Sequence, residues 1–157
     1  MIYLRPSRRS VPIAAMISLV GGATATAMLI YFRMIGSPMF QGEEVAFISV
    51  ALAGAFLAGL IVGVAFGRKG RKGWMLAAIG AICSTAIGAF LGGLMMFQTL
   101  EEAMICVVMI ATIIGSTPLI ALAWLAMMAL VHVIARRSVL VAEVPADLDL
   151  VPGPDNL

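Results

Sequence analysis

Charged side chains interrupt this chain at only a few places. Between them run four stretches without Asp, Glu, Lys or Arg, at residues 13–32, 45–67, 73–97 and 103–135. A bilayer core of about 30 Å takes about 20 helical residues at about 1.5 Å each, so the first three stretches fit one crossing apiece with modest tilt. The fourth has 33 residues, about 50 Å of helix, too long for one simple crossing and too short for two with a turn. A break is available at Gly115-Ser116-Thr117-Pro118, where proline removes a backbone donor and restrains the residue before it. The pattern predicts an all-α integral membrane protein. Four transmembrane helices form a bundle at 13–135, the fourth kinked or broken at the proline, between a basic N-terminus at 1–12 and an acidic, proline-containing tail at 136–157.

Composition reinforces this picture. The chain is 62% apolar and 11% charged, against about 45–50% and about 25% in soluble domains. It holds one histidine, two cysteines and eight carboxylates, and every carboxylate lies outside the apolar stretches. Most enzyme chemistries are excluded on that ground, and the expectation is a chain that is not an enzyme. Proton-coupled export and a rotary-ring role are demoted too, because intramembrane carboxylates mark proton and ion paths.

The charges also orient the chain. Arg5, Arg8 and Arg9, then Arg68, Lys69, Arg71 and Lys72, then Arg136 and Arg137 fall on one side, leaving only Arg33 on the other. The positive-inside rule puts both termini and the 67–73 loop in the cytoplasm of an inner or plasma membrane. The outer loops carry Glu43-Glu44 and Glu101-Glu102. Two crossings in the fourth stretch would place Arg136 and Arg137 outside, so four crossings are expected. Ser7-Arg8-Arg9-Ser10-Val11 loosely resembles a twin-arginine signal, with cleavage-like small residues at Ala23-Thr24-Ala25. The apolar run continues to Phe32, as a retained helix should, so no cleavage is expected.

Small residues recur at helical spacing. The second stretch has Ala51, Ala55, Gly59, Gly63 and Gly67, and the third has Gly80, Ser84, Gly88 and Gly92 beside Ala77, Ala81, Thr85, Ala89 and Gly93. Residues four apart share a helix face. Lipid supplies no hydrophobic drive between helices, so close approach through small residues is how they associate. Packing within the bundle is the plainer use of these glycine-zipper faces; docking onto another subunit and lining a pore are the others. Ser18, Gly22 and Thr26 form a shorter row whose hydroxyls are expected to bond back one turn. A weak repeat pairs Met39-Phe40-Gln41-Gly42-Glu43-Glu44 with Met96-Phe97-Gln98-Thr99-Leu100-Glu101-Glu102. Two parallel helical hairpins would explain it, as would chance similarity in low-complexity sequence.

Few residues carry chemistry. His132, one turn before Arg136, is expected at the headgroup level; ligation of haem or a chlorophyll-type pigment is the minor alternative, and no other cofactor or metal is expected. Cys83 and Cys106 differ in depth by about 15 Å, beyond disulfide reach, and are expected to be small buried residues. The 12 methionines are scattered without an exposed cluster, which favours gap-filling over copper binding. The basic loop with Arg68, Lys69, Arg71 and Lys72 lacks Walker-loop spacing and has no nucleic-acid-binding domain around it. Its expected partner is anionic lipid headgroups. In the tail, Asp147, Leu148, Asp149 and Leu150 form a candidate docking segment, although many such tails are simply solvated.

These features point to a non-catalytic membrane protein. The leading expectation is an accessory, scaffold or assembly subunit of a larger complex, held by other membrane subunits or by self-association through its small-residue faces. The alternative is a small oligomeric transporter or channel using the broken fourth helix. No nucleic-acid partner is expected.

Overall fold

A computed structural model describes residues 10–142, with side chains to residue 137. The described chain is helical throughout, with no strand among those residues: α1 Ser10–Met34, α2 Glu44–Val62, α3 Gly70–Phe97, α4 Leu100–Ser116 and α5 Pro118–Ala142, with a single 3₁₀ turn at Gly63–Ala65 after α2. Four of these are long and apolar enough to cross a membrane: Ser10–Met34, Glu44–Ala65, Gly70–Phe97 and Pro118–Arg137. Large apolar side chains also cover the outside, Leu19, Val45 and Leu119 among them, each more than two-thirds exposed. Helices apolar on every side suit a lipid surround rather than water.

Local signals explain where the helices begin and end, and they move several expected boundaries. α1 is helical from Ser10, the first described residue, and its first turns tolerate Pro12, whose missing N–H costs little there. α2 ends at Val62 and tightens into the 3₁₀ turn, so Gly67, expected as the last member of a helical row, lies beyond it with φ +83°. α3 begins at Gly70, which places Arg71 and Lys72 in its first turn rather than in a loop. Thr99 caps α4: its hydroxyl accepts the Glu102 N–H at 3.3 Å and donates to the Glu102 carboxylate at 2.7 Å. That pair starts α4 at Leu100, three residues before the uncharged stretch. α5 runs on through Arg136 and Arg137 to Ala142, the last described residue, because charge does not stop a helix.

α2 sits between α1 and α3 and packs on both along its length, while α1 and α3 scarcely meet. α4 and α5 form the remaining wall, α4 mainly against α3 and α5 mainly against α1. Contacts fix their path. Near the start of α4, Cys106 packs against Gly93. Further on, Ile113 joins Ala25, Met28 and Phe32 of α1 and Phe47 of α2. In α5, Trp124 reaches Thr85 and His132 stacks on Trp74. From Cys106 to Trp124 is 18 residues, about 27 Å of helix, whereas from Gly93 to Thr85 is eight, about 12 Å. The surplus means that α4 cannot run straight down α3 into α5.

The two ends of the bundle differ. At one end Arg33 pairs with Glu44 at 2.7 Å, and Phe40 stacks on Phe47 (ring centroids 4.3 Å apart) while approaching Phe97 (6.4 Å). Here the two Met-Phe-Gln copies adopt different structures: the first lies in the turn after α1, the second closes α3 with Gln98 at φ 60°. The other end holds the 67–69 turn, the start of α3 and the last turns of α5. All described carboxylates lie at the first end; apart from Arg33, all described basic residues lie at the second.

Candidate functional site

Two features of the structure bear on function: an apolar cavity at the centre and a basic pocket at the end. The cavity, about 70 Å³, is walled by Val20 and Gly21 of α1, Ala55 of α2, Gly88 of α3, Ile110 of α4 and Trp124 of α5. Small residues create it, because they let backbones approach without side chains to fill the middle. Thr24, whose hydroxyl donates to the Val20 carbonyl at 2.8 Å, lines it together with the adjacent pair Ser84 and Thr85. Both hydroxyls donate to the Ala81 carbonyl, at 3.0 and 2.9 Å, and Thr85 Oγ1 also accepts the indole N–H of Trp124 at 3.1 Å. With their protons committed, neither is set up as an activated nucleophile, and the cavity presents an apolar wall.

Several of the small residues make close approaches within the chain. A methyl added at Gly59 would lie 2.7 Å from the Cα of Ala14, one at Gly88 3.1 Å from the Cα of Ala55, and one at Gly92 3.1 Å from the Val50 carbonyl oxygen. Gly80 faces Ala65 and Phe66, and Gly63 faces Ile13. Ala51 lies across from Gly21. The row of α2 therefore splits, with Gly59 and Gly63 turned to α1 and Ala55 shared between α1 and α3. One of the closest helix-to-helix approaches involves a residue outside the four-apart rows: a Cβ at Gly54 would run into the Gly88 carbonyl oxygen and the Gly92 nitrogen. The cue was available, since Gly54 and Ala58 are four apart, but it starts from a single glycine.

Other expectations change. Thr26 does bond back, to the Gly22 carbonyl at 2.9 Å, but Ser18 instead donates across to the Leu52 carbonyl of α2 at 2.8 Å. Cys83 is exposed rather than buried, because position 83 falls on the outer side of α3, while Cys106 is half-buried against Gly93. At the helix break, Gly115, Ser116 and Pro118 are exposed and Thr117 is half-buried, and a Cβ at Gly115 would meet nothing within 4 Å. None of the four lines the central cavity. The break faces outward, not inward. Asp147, Leu148, Asp149 and Leu150, like Arg5, Arg8 and Arg9, lie outside the described residues.

His132 departs furthest from expectation. It is 1% exposed, packed against Trp74 with ring centroids 4.6 Å apart. Gly67 explains the burial. Its left-handed backbone carries the turn against the Ala135 backbone, where a side chain would find atoms 3.2 Å away, and aims its N–H at His132 Nδ1, 3.3 Å distant. Because Nδ1 accepts, the proton of the neutral ring sits on Nε2. This is the opposite of a metal-ligating histidine, which donates from one nitrogen to bind through the other, so the arrangement works against axial ligation of haem or a pigment. His132 Nε2 is buried with no hydrogen-bond partner. Beside it lies a pocket of about 230 Å³ lined by Trp74, His132, Val133, Arg136 and Arg137. Arg68, Lys69, Arg71 and Lys72 surround the same end, all exposed, with the Arg68 Nε–H on the Val64 carbonyl at 3.4 Å.

Compared with known proteins, the chain matches no family profile, no curated protein and no solved structure.

Proposed function

We propose that this is a non-catalytic integral membrane subunit, an accessory or assembly component that is completed when another membrane-embedded chain covers the seam between α4 and α5. The observation that carries this reading is the outward-facing break. Thr117 N–H still bonds the Ile113 carbonyl and Ala121 N–H the Thr117 carbonyl, each at 3.0 Å. Pro118, however, has no N–H for the carbonyl of Ile114. Irregular backbone at membrane depth is tolerated only where protein or water meets it, because an unmet peptide group in hydrocarbon costs several kcal/mol. Gly115, Ser116 and Pro118 are exposed on this chain, and Pro118 opens the Pro118–Arg137 span, so a partner over the seam would shield the freed carbonyl. The committed hydroxyls of Ser84 and Thr85 fit a non-catalytic role. In this reading the basic end faces the cytoplasm, with Arg68, Lys69, Arg71 and Lys72 against anionic headgroups and both termini on that side of an inner or plasma membrane.

The test is the mass of the particle extracted in mild detergent, with its subunits identified by mass spectrometry. Stoichiometric foreign subunits are the expected result; a lone monomer would sink the proposal. A second reading, a small oligomeric transporter or channel, draws on the central cavity. A pure homo-oligomer that passes solute in liposomes would favour it.

A further inference from the structure

We propose that the pocket at the basic end of α5 is a binding site for a phosphate-bearing headgroup, with His132 Nε2–H and the guanidinium groups of Arg136 and Arg137 as its donors. Four observations converge on it. The Gly67 N–H holds Nδ1 and thereby forces the ring proton onto Nε2. That N–H is buried and unanswered, and buried donors are almost always answered. Among the described residues, the charged lining of the pocket of about 230 Å³ is Arg136 and Arg137. Finally, α3 begins here with Arg71 and Lys72 and no acidic residue in its first turn, so the positive end of its dipole adds to the cations rather than being neutralised.

What these donors lack is an acceptor with several oxygens and a negative charge. A phosphate diester presents two anionic oxygens in tetrahedral array, so one can take the imidazole N–H while the other meets a guanidinium fork. Lipid is the source that the position favours. The pocket lies where two apolar helices reach their basic ends, and the half-exposed Trp74 beside it is the kind of side chain that settles at the headgroup level. Nε2 is sealed from solvent, so a headgroup reaches it only once the side chains over it, the stacked Trp74 ring among them, turn aside. The site goes beyond diffuse attraction to the 68–72 segment, because it adds one directed, buried donor to the surface charge. It stands whether or not a partner covers the helix break.

The experiment uses the full chain carrying Trp124→Phe, which leaves Trp74 as its only tryptophan, in nanodiscs of phosphatidylcholine. Trp74 quenching is followed as brominated phosphatidylglycerol is titrated in. Saturable quenching is expected, weakened about tenfold or more by the pair Arg136→Gln and Arg137→Gln and severalfold by His132→Phe. The control pair Arg71→Gln and Lys72→Gln should weaken it less. The arginines are exposed, so their variants test the site even if His132→Phe fails to fold. Equal affinity in the parent and in folded Arg136→Gln, Arg137→Gln protein would overturn the site. Competition by inorganic phosphate at low millimolar concentration would overturn the lipid source in favour of a soluble phosphate ligand. Binding seen only after Glu143→Gln, Asp147→Asn, Asp149→Asn and Asp155→Asn would assign the pocket to the chain's own tail and overturn the proposal.

Discussion

One methyl group is enough to test the packing at Gly54. Its added Cβ would strike the backbone of α3 at Gly88 and Gly92, which no rotamer change can relieve, so α2 and α3 must separate. Gly54→Ala should therefore destabilise the folded chain by about 1–3 kcal/mol, seen as a lower thermal midpoint in detergent. Gly115→Ala is the matched control. Nothing lies within 4 Å of that Cβ, and the midpoint should move by no more than about 0.5 kcal/mol equivalent. The same logic reads single hydrogen bonds. Trp124→Phe removes the 3.1 Å bond to Thr85 and should cost about 1 kcal/mol, while keeping most of the aromatic packing between α5 and the cavity. These residues differ in what surrounds them, not in type: Gly54 and Gly115 are alike in sequence and opposite in consequence.

Helices α4 and α5 pose a different question, because their fault lies in the backbone. Pro118→Ala returns an N–H to the Ile114 carbonyl and allows the two segments to join into one helix. If the exposed break is what another chain recognises, the particle of this variant should lose its partner in the detergent mass measurement. Retention of the same subunits would move the contact elsewhere on the surface. At the other end of α4, Thr99→Ala should cost about 1 kcal/mol by removing a cap that the helix shares with Glu102. α2 shows how one helix serves two neighbours: Gly54 faces α3, Gly59 and Gly63 face α1, and Ala55 meets both. Small side chains on two faces let three backbones lie close, and the price is the central cavity that they leave unfilled.

The molecule as a whole separates its charges, with every described carboxylate at one end and every described basic residue except Arg33 at the other. That polarity should set its direction in the membrane. With Cys83→Ala and Cys106→Ala in place, Lys69→Cys should react with an impermeant maleimide in inverted vesicles and stay unreactive in right-side-out ones; the reverse pattern would invert the orientation. The fold also couples its two ends unequally. Aromatic rings of Phe40, Phe47 and Phe97 close the acidic end, whereas the basic end keeps an open pocket beside a buried, unanswered N–H.

Much of this was legible along the chain, for a physical reason. Solvation by lipid is a property of each segment, so uncharged length and the placement of Arg, Lys and Glu announce the spans, the polar ends and the helix break at Pro118 without reference to any neighbour. Helix ends were less legible where charge and stop signals disagree: charge marked residue 135 as the end of the bundle, yet α5 continues to Ala142 because nothing there interrupts its backbone. Pairwise facts were beyond reach. That Gly54 lies against the α3 backbone, that Ser18 bonds to α2 rather than to its own helix, that the break at Gly115 turns outward, and that His132 is buried beneath Gly67 all depend on which helix lies opposite. Those relations come from rotation and tilt in the assembled bundle, which spacing within a single helix does not encode.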